Sequence, residues 1–531
     1  MTSTATALPA SVDVPASRAL PAWLAPVLTG ALVFIVGTLI VEAYVVGVVH
    51  DDGMYIILGK ALASGRGYRW LNLPGAPPAT HFPPGYPAVL ALLWWLFPQF
   101  PGNVAAFELA NALFMSLAAV GVFFFVRARF GMSDLGAALL ALAATLGIPT
   151  LTLSLLVMSE PLFLALLVPI LLYAERVVEE GRSRVRDLVV VALLAGAATL
   201  VRTHGIALIG AVTIALAFRS RFREAALFAG GAAAVLLRWQ LWVAAHAHVV
   251  PTTMQGNYES YGAWLAGGLH AEGLGLLWRT LLRTTGNLVG MFGVFVAPSM
   301  GAVVRTIGLV TLLALSTLGA RVLWRRARVT ALFLALYTTI VVLWPFWPQR
   351  FFWGIWPLVF LLPILGVRLA YEWRIARPLV RATRVATVGA GLALACGYLV
   401  YTVKGYRHQW WASIPRSVSE EVRPTLGWIA SRTPRNAVIA TEDETSVYLY
   451  TGRTAVPVGT FTVDEFFVAR TPGQNAAIID TIIARYKPAV VVVSSGAMRE
   501  AVRELAFRNP PTLAVVDTFA RGGLVLIPRS R

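Results

Sequence analysis

The stretch from Val48 to Tyr68, VVHDDGMYIILGKALASGRGY, follows directly on a long apolar run and carries two adjacent carboxylates, Asp51 and Asp52, near its start. From there Met54, Ile57, Leu58, Ala61 and Leu62 recur at helical spacing, with Tyr55, Gly59 and Lys60 off that face, which predicts a helix lying in a membrane interface. Gly65 and Gly67 fit a helix C-cap and a turn. The Pro-rich LPGAPPATHFPPGYP then carries the chain back toward the bilayer. The result is an ordered loop over about residues 50–87, headed by paired acids.

The rest of the chain supplies the membrane. Of 531 residues 57% are hydrophobic and 13% charged, with mean hydropathy +0.70, more apolar surface than a single soluble core absorbs. Apolar runs of crossing size begin near Val27, Val104, Leu135, Leu162, Leu227, Ala302, Thr330, Phe352 and Val385, the first ending at Val49 and the last at Val403. The net charge of +18 resides mainly in Arg clusters of alternate short loops, at 127–129, 176–186, 219–223, 325–328 and 374–384. The positive-inside rule makes those loops cytosolic and explains the charge better than nucleic-acid binding does, so no nucleic-acid partner is expected. HDDGMY, MSEP, WPQRF and the final domain are then expected outside, with residues 1–22 a disordered cytosolic tail. The expected setting is the inner (plasma) membrane of a bacterial-type cell.

Between Leu188 and Phe218 the apolar pattern is interrupted by VRTHG, and both flanks are basic, yet the stretch has too few residues for two full spans. The turn at Arg202, Thr203, His204 and Gly205 therefore reads as buried backbone lining a cavity, in preference to two short tilted spans. After Val403 the composition changes. NAVIATEDETSVYLYTG, PAVVVVSS and LAVVDTFARGGLVLIP are short β-branched runs, while EEVRPTLGWIASRTP and QNAAIIDTIIARY have helical spacing. Their alternation predicts a small α/β domain over 404–531 with a partly parallel sheet.

The paired acids fit two roles: capping the N-terminus of the following helix, or chemistry at the bilayer surface, with one carboxylate as general base and the other as positioner or metal ligand. Glu160, before Pro161 at a helix start, is likewise either a helix N-terminal residue or part of a site. Arg350 lies in an aromatic-rich interface where an outside arginine runs against the loop bias. His246, His248 and His270 fall in a long loop, where solvated histidines are the plainer reading than a metal site. Tyr258, Tyr261 and Trp264 in that loop could stack on a sugar or form a partly interfacial helix. Glu42 either faces a cavity or pairs with another helix.

DDGMYIILGKALASGRGY followed by FPPGYPAVLAL resembles the first external loop of the GT-C glycosyltransferases, the superfamily of protein O-mannosyltransferases and lipid A aminoarabinose transferases. SLLVMSEPLFLALL resembles the second acidic site of that family, WPQRFFWGIWPLVF its Arg-Tyr site, and YLYTGRTAVP a segment of members with a C-terminal extracytoplasmic domain. The resemblance implies a helical membrane domain over 23–403 with about 11 transmembrane helices, and catalytic roles for Asp51, Asp52 and Glu160. Arg202, His204 and Arg350 would hold a donor phosphate. Tyr55, His81 and Tyr258 would contact substrate, with His81 also the candidate ligand of a divalent metal. Two positions depart from the pattern: His81 and Phe82 replace Glu-Lys before the double proline of some members, and Phe351 replaces the tyrosine after Arg350.

The expected reaction moves a sugar from a polyprenyl-phosphate carrier to a hydroxyl of a lipid, glycan or protein, with inversion at the anomeric carbon. The competing expectation is a transporter or flippase for such lipids, whose sites would lie near the membrane midplane between repeated halves.

Overall fold

The structure, a computed structural model, describes residues 21–42, 44–47, 49–372, 377–507, 513–519 and 523–529. The expected N-terminal tail therefore lies, up to residue 20, outside the described residues.

Helix α1 (Leu24–Leu39) stops well short of Val49, where the first apolar run was expected to end. Beyond it the chain leaves helical geometry and is stitched to the C-terminal domain. The Val45 N–H donates to Ser419 Oγ at 2.9 Å, and Ser446 Oγ donates to the Val46 carbonyl at 2.9 Å. Val45 and Val46 are buried against protein instead of lipid.

Helix α2 (Asp51–Ala63) starts on the acids, with Asp51 and Asp52 in its first turn. It ends as the glycines predicted: the N–H of Gly65 donates to the Leu62 carbonyl and that of Arg66 to Ala61, with Gly65 at φ +69°. It presents no apolar face to lipid, because every residue from Asp52 to Gly59 is buried within the protein. Helix α3 (Gly85–Leu96) covers one side, where a Cβ on Gly59 would lie 2.9 Å from Leu90 Cβ. The C-terminal domain covers another, where a Cβ on Gly53 would lie 2.6 Å from Thr445 Oγ1.

The bundle continues through α4 (Val104–Phe130), α5 (Asp134–Thr145), α6 (Ile148–Leu155) and α7 (Glu160–Glu179). Where one run was expected from Leu135, α5 and α6 meet at a 60° bend. The interrupted stretch is α8 (Val185–Val201) and α9 (Ile206–Ala217), separated by an extended Arg202 and a single tight turn at Thr203–Gly205. Arg202 and His204 are buried there, as expected. Then follow α10 (Phe222–His246), α11 (Tyr261–Glu272), α12 (Gly275–Val296), α13 (Ala302–Arg326), α14 (Arg328–Val342), α15 (Pro348–Trp353), α16 (Trp356–Glu372) and α17 (Arg377–Arg407). The chain is a polytopic helical membrane protein. Among the described residues 5 helices are long and apolar enough to cross a bilayer alone, or 6 if the bent pair is one span, with shorter apolar helices packed among them.

The basic loops gather at one end of the bundle. Arg129 pairs with Glu179 and bonds the Arg326 carbonyl, Arg221 bonds the carbonyls of Val178 and Glu180, and Arg368 bonds that of Phe130. Helix α7 carries Glu179 at this end and Glu160 at the other. Its length of about 30 Å matches the hydrocarbon core of a bilayer.

The C-terminal domain contains α18 (Trp410–Arg432), α19 (Glu444–Thr451), α20 (Pro472–Tyr486) and α21 (Gly496–Phe507) around a sheet of β1 (Val438–Thr441), β2 (Thr454–Pro457), β3 (Val490–Val493), β4 (Leu513–Thr518) and β5 (Leu524–Pro528). The strand order is β2-β1-β3-β5-β4. Strand β1 pairs in parallel with β2 and β3, while β5 runs antiparallel to β3 and β4, the partly parallel sheet expected. Helix α20 opens with a capping box between Thr471 and Gln474. One reading fails: SVYLYT, read as part of a strand, is helix α19, because its buried Val447 and Leu449 pack inward while Ser446 and Tyr450 bond the segment after α1.

Candidate active site

At the end of the bundle opposite the basic loops, α2, the loop before α3, the turn after α8, the start of α11 and α15 with the loop before it enclose one cavity. Asp51, Tyr55, His81, Arg202, His204 and Arg350 all line it. Six of the nine residues expected to form the site are thus brought together from segments far apart in sequence.

Their charges interlock. Arg350 Nη1 donates to Asp51 Oδ2 at 2.5 Å, and its Nε donates to Glu160 Oε1 at 2.5 Å. Arg202 Nη1 lies 2.8 Å from the same Glu160 oxygen and donates to Ser159 Oγ at 3.1 Å. Tyr55 OH reaches Ser159 Oγ at 3.1 Å. Two carboxylates and two guanidiniums balance, which is what allows Glu160, 0% exposed, and Arg202, 7% exposed, to be buried together. Ser159 is the N-cap of α7 but makes no side-chain capping bond, its hydroxyl being turned to Tyr55 and Arg202. Glu160 therefore combines both readings given to it: it occupies a helix N-terminus, and it holds two cations at the cavity wall.

Asp51 and Asp52 separate at this point. Successive helix residues face about 100° apart. Asp51, 25% exposed, faces the cavity. Asp52 faces away, accepting the N–H of Gly47 at 2.8 Å and of Val49 at 3.2 Å, and does not line the cavity. Its expected place beside the reacting atoms is corrected to one that fixes the loop leading into α2. Burial pushes its carboxyl up to about 6. The folded form thus holds this proton to higher pH than the unfolded chain, so the stability it contributes is complete below the ordinary carboxylate range and is lost as pH rises through about 6. The melting temperature of the purified protein is expected to fall from about pH 4.5 to about pH 7, with the Asp52→Asn variant showing a shallower fall. Parallel thermal scans of the two proteins check this, and equal slopes would exclude Asp52 as the source.

His81 is 8% exposed, and its Nδ1 lies 2.6 Å from the Glu259 carbonyl, so Nδ1 carries the proton and donates. Burial holds this imidazole down to about 4, neutral at physiological pH. The metal expectation does not fit. Among the described residues no group of three His, Cys, Asp or Glu side chains is placed to hold an ion. Near His81, the Asp51 carboxylate is engaged by Arg350. His246 Nδ1 is spent on the Trp242 carbonyl.

Tyr258 is also corrected. It is fully buried away from the cavity, its hydroxyl donating to Glu444 Oε1 and accepting from Asn72 Nδ2, both at 2.8 Å. Tyr261, three residues on, lines the cavity with Trp344, Phe346, Phe82 and Phe351. Tyr261 was read from the sequence as able to stack on a sugar, while the other four were legible only as membrane-interface anchors or pattern departures. Phe351, standing where the pattern has tyrosine, lies against His204 at 4.8 Å between ring centroids and 5.7 Å from the Arg202 guanidinium. Glu42 takes the second of its two readings, pairing with Arg416 of α18.

No family model and no curated protein matches the chain. Among solved structures, ArnT from Cupriavidus metallidurans bound to undecaprenyl phosphate aligns with TM-score 0.56 at 15% identity, covering 96% of this chain and 98% of that one. The same protein in the apo state aligns with TM-score 0.55 at 14% identity, covering 94% and 97%. The likeness runs through both the membrane bundle and the C-terminal domain, and the fold of this chain is the GT-C fold of the membrane glycosyltransferases.

Proposed function

We propose that the chain is an inverting glycosyltransferase that moves a hexosyl or pentosyl unit from a polyprenyl-phosphate carrier to an acceptor hydroxyl at the extracytoplasmic face of the plasma membrane. The observation that carries this reading is the convergence of Asp51, Arg202 and Arg350 on one cavity at the end of the helices, with the buried Glu160 bridging the two guanidiniums behind it. The donor class is supported by the ArnT structure of the same fold, which is bound to undecaprenyl phosphate.

The chemistry follows from the charges. Asp51 takes the proton of the acceptor hydroxyl as that oxygen attacks C1 of the sugar. The bond from C1 to the phosphate oxygen breaks on the opposite side, and its electron pair leaves with the lipid phosphate. Arg350 and Arg202 face that developing charge. Each guanidinium has five N–H donors, enough to bind phosphate while keeping Glu160. Retention would need a second free carboxylate to form a glycosyl-enzyme. Glu160 is occupied by two arginines, which favours single displacement. A groove of about 390 Å³ lined by Gly286, Gly290, Met291, Phe295, Gln349 and Tyr401 lies beside Arg350 and suits an isoprenoid chain.

The basic loops around Arg129, Arg221 and Arg326, at the far end of α7, support a cytosolic placement of that end under the positive-inside rule, and with it an outer headgroup level for the cavity. The flippase reading asks for ion pairs near the midplane. Glu160 is the first residue of its helix, at the end of a span. The test uses the purified protein in lipid nanodiscs with a polyprenyl-phosphate sugar and a membrane extract as acceptor source. Release of polyprenyl phosphate that depends on acceptor is expected. Movement of the intact donor across liposomes without release would overturn the reading.

A further inference from the structure

The three acidic residues at the start of α19, Glu442, Asp443 and Glu444, lie outside the cavity, and the reaction above uses none of them. Glu444 is nevertheless 1% exposed and sits where three separate loops meet. Its Oε1 accepts from Tyr258 OH at 2.8 Å, and Tyr258 OH in turn accepts from Asn72 Nδ2. The same oxygen lies 3.7 Å from Nδ1 of His50, the residue immediately before Asp51. Asn72 is held to the C-terminal domain a second time, through its carbonyl to the Ala455 N–H at 2.8 Å.

His50 has φ +66°, a backbone conformation that side chains other than glycine rarely adopt. Such strain persists only where the surroundings fix it from several sides. Here Asp52 ties the N–H groups of Gly47 and Val49, Ser446 ties the Val46 carbonyl, and Glu444 stands beside the His50 ring. Gly47, at φ +94°, has no room for a Cβ, which would lie 2.4 Å from Ser446 Oγ. The turn at His50 sets the rotation of the first turn of α2, and that rotation decides which of the two aspartates faces the cavity.

Resting on the proposed transferase reading, we infer that Glu444 is a positioning residue, by which the C-terminal domain holds His50 and so aims the Asp51 carboxylate into the cavity. Glu444 touches no substrate. Its carboxylate engages the imidazole of His50 and the hydroxyl of Tyr258 together, and an amide in its place keeps the second contact while losing the charge that favours the first. Burial raises the Glu444 carboxyl, and the neighbouring His50 opposes that rise.

The test compares full-length wild type with Glu444→Gln, His50→Gln and the double variant. For Glu444→Gln a fall in kcat of about 10-fold is expected with the KM for the lipid-linked donor unchanged, the signature of a group that acts on the reacting step alone. The double variant is expected to lose no more than the worse single variant, since both act through one contact. Full wild-type kcat in Glu444→Gln, or losses that multiply in the double variant, would overturn the inference. A second measurement does not depend on turnover: labelling of Asp51 by a water-soluble carbodiimide, read by mass spectrometry. Glu444→Gln is expected to change the Asp51 labelling rate several-fold while Glu272 and Asp517 label as before, and an unchanged Asp51 rate would overturn the inference. If wild type releases no polyprenyl phosphate, the transferase reading fails and the labelling result still decides the role of Glu444.

Discussion

Asp51→Asn is expected to lower transfer by about 10²- to 10⁴-fold, the usual contribution of a positioned general base. Asparagine has nearly the same shape, and its amide oxygen can still accept from Arg350 Nη1, which now bonds Asp51 Oδ2 at 2.5 Å. What it cannot do is take the proton of an attacking hydroxyl. The fold should tolerate the change, since a first-turn carboxylate contributes only about 0.3 to 1 kcal/mol through the helix dipole, and Asp52 still ties the Gly47 and Val49 N–H groups. Binding of undecaprenyl phosphate is expected to persist or tighten, because Arg350 loses one of its two negative partners and keeps only Glu160. The initial rate of polyprenyl phosphate release and the binding of the unlabelled carrier are the two measurements. Wild-type turnover by the variant would remove Asp51 from the chemistry.

Glu160→Ala is expected to act first on stability, with a loss of about 3 to 5 kcal/mol, the range for removing one partner of a buried pair. Arg202 is 7% exposed and would keep its charge among Tyr55, His204 and Tyr337 without the carboxylate that now neutralises it. Arg350 would keep only Asp51 as an anionic partner, and a base held by an uncompensated cation is a poorer base. Glu160→Gln should lose less, since its amide oxygen can still accept from one arginine. Thermal unfolding of the three proteins in the same detergent orders them: wild type, then glutamine, then alanine. Equal melting temperatures would show that the network carries no net stabilisation. Because Glu160 is remote from the basic end, the loops around Arg129 and Glu179 should keep their protease resistance in the glutamine variant.

How far the sequence could be read depended on whether the signal was local. The acids at the head of α2, the Gly65 turn and the break at Arg202 follow from spacing within a few residues, and all are found. The end of α1 was misplaced because hydropathy does not distinguish burial by lipid from burial by protein. Val45 and Val46 are apolar for the sake of the C-terminal domain. SVYLYT looked like a strand because β-branched and aromatic residues are enriched there, but its partner is the segment after α1 and not a sheet edge. Asp51 and Asp52 are adjacent, and Tyr258 and Tyr261 only three apart, so no periodicity tells which member of each pair faces the cavity. That choice is made by Glu444, Asn72 and Glu259, which are distant in sequence. The cationic wall was legible as a set of residue types, while its pairing through Glu160 was not.

The segment after α1 is bonded to Ser419, a partner 374 residues later in the chain. The start of α2 thus waits for a scaffold that the ribosome produces only after the helical bundle. A nascent chain with every transmembrane helix inserted but residues 444–450 still in the exit tunnel has its arginines and its glutamate, and lacks the contacts that hold the start of α2. On the transferase reading, such a chain would hold its cationic wall without an aimed base, and would become competent only once residues 444–450 have folded against the segment after α1.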